Sequence, residues 1–337
     1  MTDRAPIYLH ELNRALAEAL AEDRRVFVMG EDIVDPYGGA FKVTKGLSTR
    51  FPDRILSTPI SEACIVGMGT GMAMRGLLPV VEIMFGDFIT IAADQIINHA
   101  AKFRQMYNGQ VTVPLVIRTP MGGGRGYGPT HSQCLEKLFL GIPGLKVVAP
   151  SLFHDVAPLL KKAILEEPDP VLFIEHKLLY PLELITSDGT LTVETFADDA
   201  GFPVGGVRNF DGSRPDLTII SYGGTSLPLS RVLRRMHAEE IRISAFFPSL
   251  ISAPLAPAVF DSIRRSKRAL IIEEGAGGFG WGAELSAQIY EAVGNSLEKP
   301  VKRMTARDGI VPAARELEYR SLPQVENIEA LVEELLS

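Results

Sequence analysis

The run Gly122-Gly123-Gly124-Arg125-Gly126-Tyr127-Gly128 has too few side chains to build a core, so it must be a loop. Thr130-His131-Ser132-Gln133 follows at once. That placement sets an imidazole, which can give or take a proton near neutrality, on the kind of segment that carries function on rigid scaffolds. Taken alone, His131 also reads as an exposed polar residue. Glu62 stands directly after Ser61 at the head of a helical pattern, where a first-turn acid is favoured by the helix dipole whether or not it does chemistry. A third candidate is Gly275-Ala276-Gly277-Gly278-Phe279-Gly280, which matches G-x-G-x-x-G between a strand and a helix. Such a turn lets backbone amides meet a pyrophosphate. It lies in the last quarter of the chain, however, and only Asp308, in an Arg-Asp-Gly turn, follows the next strand as an acid for a ribose. A tight strand-to-helix connection is the preferred reading. Gly67, Gly69 and Gly71 fall inside a helical pattern and predict close packing against a neighbour. No G-x-x-x-x-G-K-[ST] loop occurs, which excludes a P-loop kinase or ATPase.

The elements that must position these residues follow from length and patterning. At 337 residues the chain exceeds the roughly 250–300 at which single cores split, so two domains are expected. Hydrophobic residues at 46% and charged residues at 22% are those of a globular protein and exclude general disorder. A net charge of −7 argues against nucleic-acid or basic membrane-surface binding. Cys64 and Cys134 are too few for a disulfide scaffold and read as small core residues. There is no apolar run of about 20 residues and no basic-then-apolar leader pattern, so a cytoplasmic location is expected.

Leu9, Leu12, Leu16 and Leu20 predict an N-terminal helix. Short apolar runs at Val26–Met29, Leu78–Ile83, Pro114–Arg118 and Lys146–Ala149 alternate with helical patterns at Ser61–Arg75, Phe88–Arg104 and His154–Glu166. That alternation predicts a parallel sheet covered by helices. Strands recur at Leu217–Ser221, Arg242–Ala245, Ala269–Glu273 and Val301–Thr305. The less periodic stretch before them, rich in Thr, Asp, Gly and Pro, reads as a linker with short extended pieces.

Five segments in register now carry a resemblance. They are Pro59-Ile60-Ser61-Glu62-Ala63, Pro79-Val80-Val81-Glu82-Ile83, Asp94-Gln95-Ile96-Ile97-Asn98, Thr130-His131-Ser132-Gln133 and Ile142 through Pro150. With Gly30-Glu31-Asp32, Glu274-Gly275 and Leu322-Pro323, they make nearly the whole chain similar to the β subunit of thiamine-diphosphate-dependent 2-oxo acid dehydrogenases. These are the transketolase-like first components of the pyruvate and branched-chain complexes.

The resemblance implies an α/β fold of two domains. A pyrimidine-binding parallel-sheet domain would span 1–185, a linker 186–215, and a transketolase C-terminal α/β domain 216–337. It implies an α2β2 assembly with thiamine diphosphate between subunits. The α subunit would hold the diphosphate and Mg²⁺ through Gly-Asp-Gly and a downstream Asn. This chain has no Gly-Asp-Gly, in keeping with that division, and no metal ligand of its own is expected. A 2-oxo acid and the lipoyl domain of a dihydrolipoyl acyltransferase are the further partners implied.

By the same resemblance, Glu62 is the essential glutamate. Bonded to the pyrimidine ring nitrogen, it would favour the imino form of the exocyclic amine, which takes the thiazolium proton. Phe88 would stack on the aminopyrimidine, although a core aromatic also suits its position. Ile60 and Met84 would lie beside the coenzyme, His131 would be the active-site histidine, and Arg125 and Tyr127 would stand near the entrance.

Two departures qualify the resemblance. Where close family members carry Asp-Leu-Arg-Thr-Leu-x-Pro, this chain has Phe246 through Pro254 without the charged pair, which puts subunit or partner contacts there in doubt. Ala163–Asp169, matching a family K⁺ site of backbone carbonyls, is one residue longer and leaves K⁺ open. Two alternatives stand beside the dehydrogenase reading: an acetoin-cleaving or acyloin-forming enzyme built from the same chains, and a non-catalytic assembly subunit. Retention of both Glu62 and His131 argues against the latter.

Overall fold

A computed structural model describes residues 5–212 and 214–337. The four short apolar runs become β1 (Val26–Gly30), β3 (Leu78–Glu82), β4 (Val116–Met121) and β5 (Lys146–Val148), and two strands not expected from the patterning, β2 (Ile55–Ser57) and β6 (Val171–His176), join them. They form a six-stranded sheet in the order β2-β1-β3-β4-β6-β5, with every pair parallel. Residues of β3, β4 and β6 are buried throughout, because helices cover both faces and leave no strand surface to water. On one face the helices Tyr8–Glu22 and Val156–Leu165 pack together. On the other lies the helix Glu62–Met74. A Cβ on Gly69 would come within 2.8 Å of Val81 Cγ1, so the glycine lets this helix settle onto the sheet.

The second sheet holds β7 (Thr192–Ala197), β8 (Pro203–Arg208), β9 (Leu217–Ser221), β10 (Ile243–Pro248), β11 (Ala269–Ala276) and β12 (Lys302–Ala306), in the order β12-β11-β9-β10-β8-β7. Its β12, β11, β9 and β10 are parallel, and β8 and β7 run antiparallel at the edge. The extended pieces expected inside the 186–215 linker are therefore full strands of this sheet. Their composition hid them because β7 is an edge strand with no buried residue and β8 carries Gly205-Gly206, so neither reads as an apolar run. The two domains share a core: Met29, Val81 and Ile117 of the first belong to one apolar cluster with Ile220, Phe246 and Trp281 of the second. Val148 and Leu250 also form an antiparallel bridge between them.

Two expectations need correction. Phe88–Arg104 is not one helix. It is a 3₁₀ segment Gly86–Ala92, a π-turn Gln95–Ala100 and an α-helix Ala101–Met106. The β-branched Ile89, Thr90 and Ile91 disfavour regular helix, and the Thr90 hydroxyl donates to the Asp87 carbonyl at 3.1 Å. Cys64 is exposed and Cys134 half-buried. With Glu62 turned inward, a residue two positions later is carried to the other side of the helix. Among the described residues, no helix is long and apolar enough to cross a membrane.

Candidate functional site

From β1 the chain passes to β2 on one side and then returns to β3 on the other. In open parallel sheets, the carboxyl ends beside such a reversal frame a crevice. The candidate residues cluster there because each follows a strand. Glu31 follows β1, Glu62 follows β2, Met84 and Phe88 follow β3, and the loop with His131 follows β4.

Glu62 and Glu31 are both buried, at 5% and 4% exposure. Burial pushes the Glu31 carboxyl up to about 7, and the neighbouring charges of Glu62 and Asp32 add to the rise. Its Oε1 has no hydrogen-bond partner. A buried acceptor of this kind costs free energy unless something donates to it.

Phe88 and His131 come together. The His131 ring stands edge-on to Phe85 at 4.7 Å and to Phe88 at 5.2 Å between centroids. The Thr130 hydroxyl lies 3.1 Å from His131 Nδ1, and the Lys177 ammonium donates to the His131 carbonyl. Gln133 donates from its side-chain amide to Asp87 Oδ1 at 2.7 Å, tying the histidine motif to the residue before Phe88. Met84 is half-buried, Ile60 is 81% exposed, and Arg125 and Tyr127 lie exposed on the glycine loop.

Beneath the site runs a charge network. Arg118 bonds Glu175 through Nε and Nη2, at 2.7 and 2.8 Å, and Glu82 through Nη1 at 2.7 Å. Tyr180 adds a hydroxyl to Glu175 at 2.7 Å. Arg118, Glu175 and Glu82 sit on β4, β6 and β3, so the network pins three strands side by side at the ends that carry the site. Burial raises the Glu82 carboxyl although Arg118 pulls it down. Lys177 is fully buried, and burial lowers its pKa against the opposing carboxylates of Asp87, Glu274 and Glu318.

Glu31, Asp87, Lys177 and the Arg118 network do not stand out by residue type alone. The available signal was charge inside apolar runs: Arg118 within Val-Ile-Arg-Thr, and Glu175-His-Lys at the end of Val-Leu-Phe-Ile. The glycines 275–280 connect β11 tightly to the helix Trp281–Val293. Glu273 Oε1 accepts the Gly282 N–H at 3.1 Å, so a carboxylate stands where a pyrophosphate would bind.

Comparison with known proteins bears on this arrangement. Residues 8–183 match the transketolase pyrimidine binding domain, and residues 206–328 the transketolase C-terminal domain. The chain is 41% identical to pyruvate dehydrogenase E1 component subunit beta-1, mitochondrial, of Arabidopsis thaliana, covering 94% of this chain and 85% of that one. The chain belongs to the β-subunit family of the 2-oxo acid dehydrogenases. It is also 34% identical to pyruvate dehydrogenase E1 component subunit beta of Acholeplasma laidlawii, over 97% of each chain. Identity to 3-methyl-2-oxobutanoate dehydrogenase subunit beta of Mycobacterium tuberculosis is 37%, over 96% of this chain and 90% of that one. A split-gene transketolase, solved as an inactive beta4 tetramer, superimposes with a TM-score of 0.71 over 98% and 99% of the two chains. At 19% identity it speaks to the fold alone.

Thiamine diphosphate dependence is expected of this family. The residues fit the pyrimidine half of that cofactor. Glu31 offers an orphaned acceptor, Glu62 a second buried carboxyl group, and Phe88 a half-buried ring.

Proposed function

We propose that this chain is the β subunit of a cytoplasmic 2-oxo acid dehydrogenase acting on pyruvate or a branched-chain 2-oxo acid. The acyl group passes to the lipoyl group of a dihydrolipoyl acyltransferase. The observation that carries this reading is the convergence of Glu31, Glu62, Phe88 and His131 at the carboxyl ends of β1 to β4. Bound thiamine diphosphate supplies the electron sink for decarboxylation.

The chain's own residues hold and steer. Glu62 keeps a proton at the pyrimidine ring nitrogen. Glu31, whose carboxyl is still half-protonated near neutrality, supports it by limiting the charge the buried pair can carry. Phe88 stacks on the ring, with Ile60 and Met84 as apolar walls. His131 gives or takes a proton at the substrate carboxylate and acyl oxygen. An α subunit would hold the diphosphate and Mg²⁺ in an α2β2 assembly, and the lack of a Gly-Asp-Gly sequence in this chain supports assigning it the pyrimidine half alone. Around Ala163–Asp169 the Lys146 ammonium bonds Glu167 at 2.7 Å and reaches Asp169 at 3.7 Å, and the Val113 N–H takes the Pro168 carbonyl. No K⁺ is assigned there.

The test is co-purification with an α partner and assay of the complex. Thiamine-diphosphate-dependent decarboxylation of pyruvate or 3-methyl-2-oxobutanoate, with acylation of a lipoyl domain, is the expected result. Acetoin cleavage without lipoyl acylation would replace this reading with the acyloin alternative. Inactivity of the assembled complex towards all of these would leave the assembly role.

A further inference from the structure

Something must hold the 122–128 loop, because its own composition cannot. Gly122, Gly124, Gly126 and Gly128 have positive φ, and the two larger side chains, Arg125 and Tyr127, are exposed and rest against Phe41 and Phe85. The loop is flanked by two cavities between the domains. One, of about 490 Å³, is lined by Gly124, His176 and Glu274; the other, of about 630 Å³, is lined by Ser132, Gln133 and Glu274. Leu178 and Leu322 reach the loop at Gly124 and Gly123, but its backbone amides still need polar partners.

Carboxylates of the second domain supply those partners. Glu318, on the short helix Arg315–Ser321, is fully buried. Its Oε1 accepts the Gly124 N–H at 2.9 Å, and its Oε2 accepts the Gly126 N–H at 2.6 Å. Glu274, at the end of β11, accepts the Gly123 N–H at 2.6 Å and bonds His176 Nε2 at 2.8 Å. The counter-charge is Lys177, whose ammonium holds the His131 carbonyl at the far end of the same loop. The close approach also explains the glycines: a Cβ on Gly122 would fall 2.0 Å from His176 Nε2, and one on Gly126 would fall 3.0 Å from the Arg315 Cβ.

We propose that Glu318 is a positioning residue for the active site. Its carboxylate clamps the Gly124 and Gly126 amides and thereby sets His131 against Phe85 and Phe88, so that docking of the C-terminal domain assembles the pyrimidine-side site. This rests on the reading of His131 as a catalytic histidine. Main-chain amides bonded to a charged acceptor gain more than neutral pairs do, and both oxygens of one carboxylate are used on two alternate residues.

The test begins with hydrogen exchange in the assembled α2β2 complex. Glu318→Ala should speed exchange at Gly124 and Gly126 on the order of 10-fold or more, with Glu318→Gln in between, and leave the β3 and β4 amides unchanged. Unchanged loop exchange in both variants overturns the proposal. Glu318→Gln keeps the side chain's size and one acceptor, so it reports even if Glu318→Ala does not fold. The second arm is a double-mutant cycle on turnover. If Glu318 acts through His131, Glu318→Gln should lower kcat in the otherwise native complex and lower it no further in the His131→Ala background. Losses that multiply would overturn the link to His131. Full turnover in His131→Ala alone would instead remove the catalytic reading of that histidine, while loop exchange still decides whether Glu318 holds the loop.

Discussion

The His131 imidazole and the Phe88 ring meet edge to face, 5.2 Å apart at their centroids and with their planes at 82°. Two rings that touch without stacking are free to serve different groups. Phe88 suits the flat face of an aminopyrimidine, and His131 suits the substrate beside it. Gln133 and Asp87 lock the two segments together, so the separation is built into the fold.

A division of labour between Glu62 and His131 follows. Glu62→Gln should slow exchange of the cofactor's thiazolium proton and every later step with it. His131→Ala should leave that exchange nearly intact while reducing acyl transfer to a lipoyl domain. A group needed only after the carbanion forms cannot control how it forms. Proton exchange followed by NMR in the assembled complex decides the matter; equal loss in both variants would refute the division.

Phe88→Ala should weaken cofactor binding more than it slows bound-state chemistry. Aromatic contacts add about 0.5–1.5 kcal/mol beyond their area burial, or roughly 2- to 10-fold in Kd. Calorimetric titration of the complex with thiamine diphosphate and Mg²⁺ measures it. Unchanged affinity with collapsed turnover would contradict the stacking role.

Glu31 gives the site a pH dependence whose sign is fixed. Its carboxyl is raised from 4.5 to about 7, so the folded chain binds this proton more readily than the unfolded chain does. Stability therefore falls as pH rises through that window and carries its full penalty above about 7. Glu31→Gln removes the penalty. The variant should gain on the native chain in urea unfolding as pH rises from about 5 to 8, and match it near pH 4. Because the Glu62 charge is part of the cause, Glu62→Gln should bring the Glu31 titration down, as read by carboxyl ¹³C NMR.

Arg118→Met should destabilise the first domain by about 3–5 kcal/mol, since it leaves the Glu82 and Glu175 carboxylates buried without their cation. Urea titration gives the magnitude. Thiamine diphosphate affinity should fall as well, because β3, β4 and β6 lose the group that aligns their carboxyl ends. A loss below 1 kcal/mol would mean that water reaches the network and screens it.

Much of this fold is legible in local composition. Apolar runs such as Val26–Met29 and Leu78–Ile83 cannot face water on either side, so a helix-covered parallel sheet followed from them directly. The loop at 122–128 was legible for a similar reason, since a segment with so few side chains has nothing to bury. The strand pair β7 and β8 was not. Thr192–Ala197 is mixed in character because half of it faces solvent, and it becomes a strand only through pairing with Pro203–Arg208. The regular helix expected over Phe88–Arg104 failed where backbone bonds and β-branched side chains outweighed the apolar spacing.

The same boundary runs through the site. Residue types and order determined where chemistry could reside: Glu62 at a helix start, Phe88 after a strand, and His131 after a glycine loop. What those groups face depended on contacts between distant segments. Glu31 is pushed up to about 7 because folding buries it and sets Glu62 nearby, 31 positions further along the chain. Glu318 reaches Gly124 across 194 residues. Local sequence encodes the propensity of a segment and the chemistry of a side chain. Burial, charge pairing and the reach of a carboxylate to a distant amide are properties of proximity in space, and only the tertiary structure decides them.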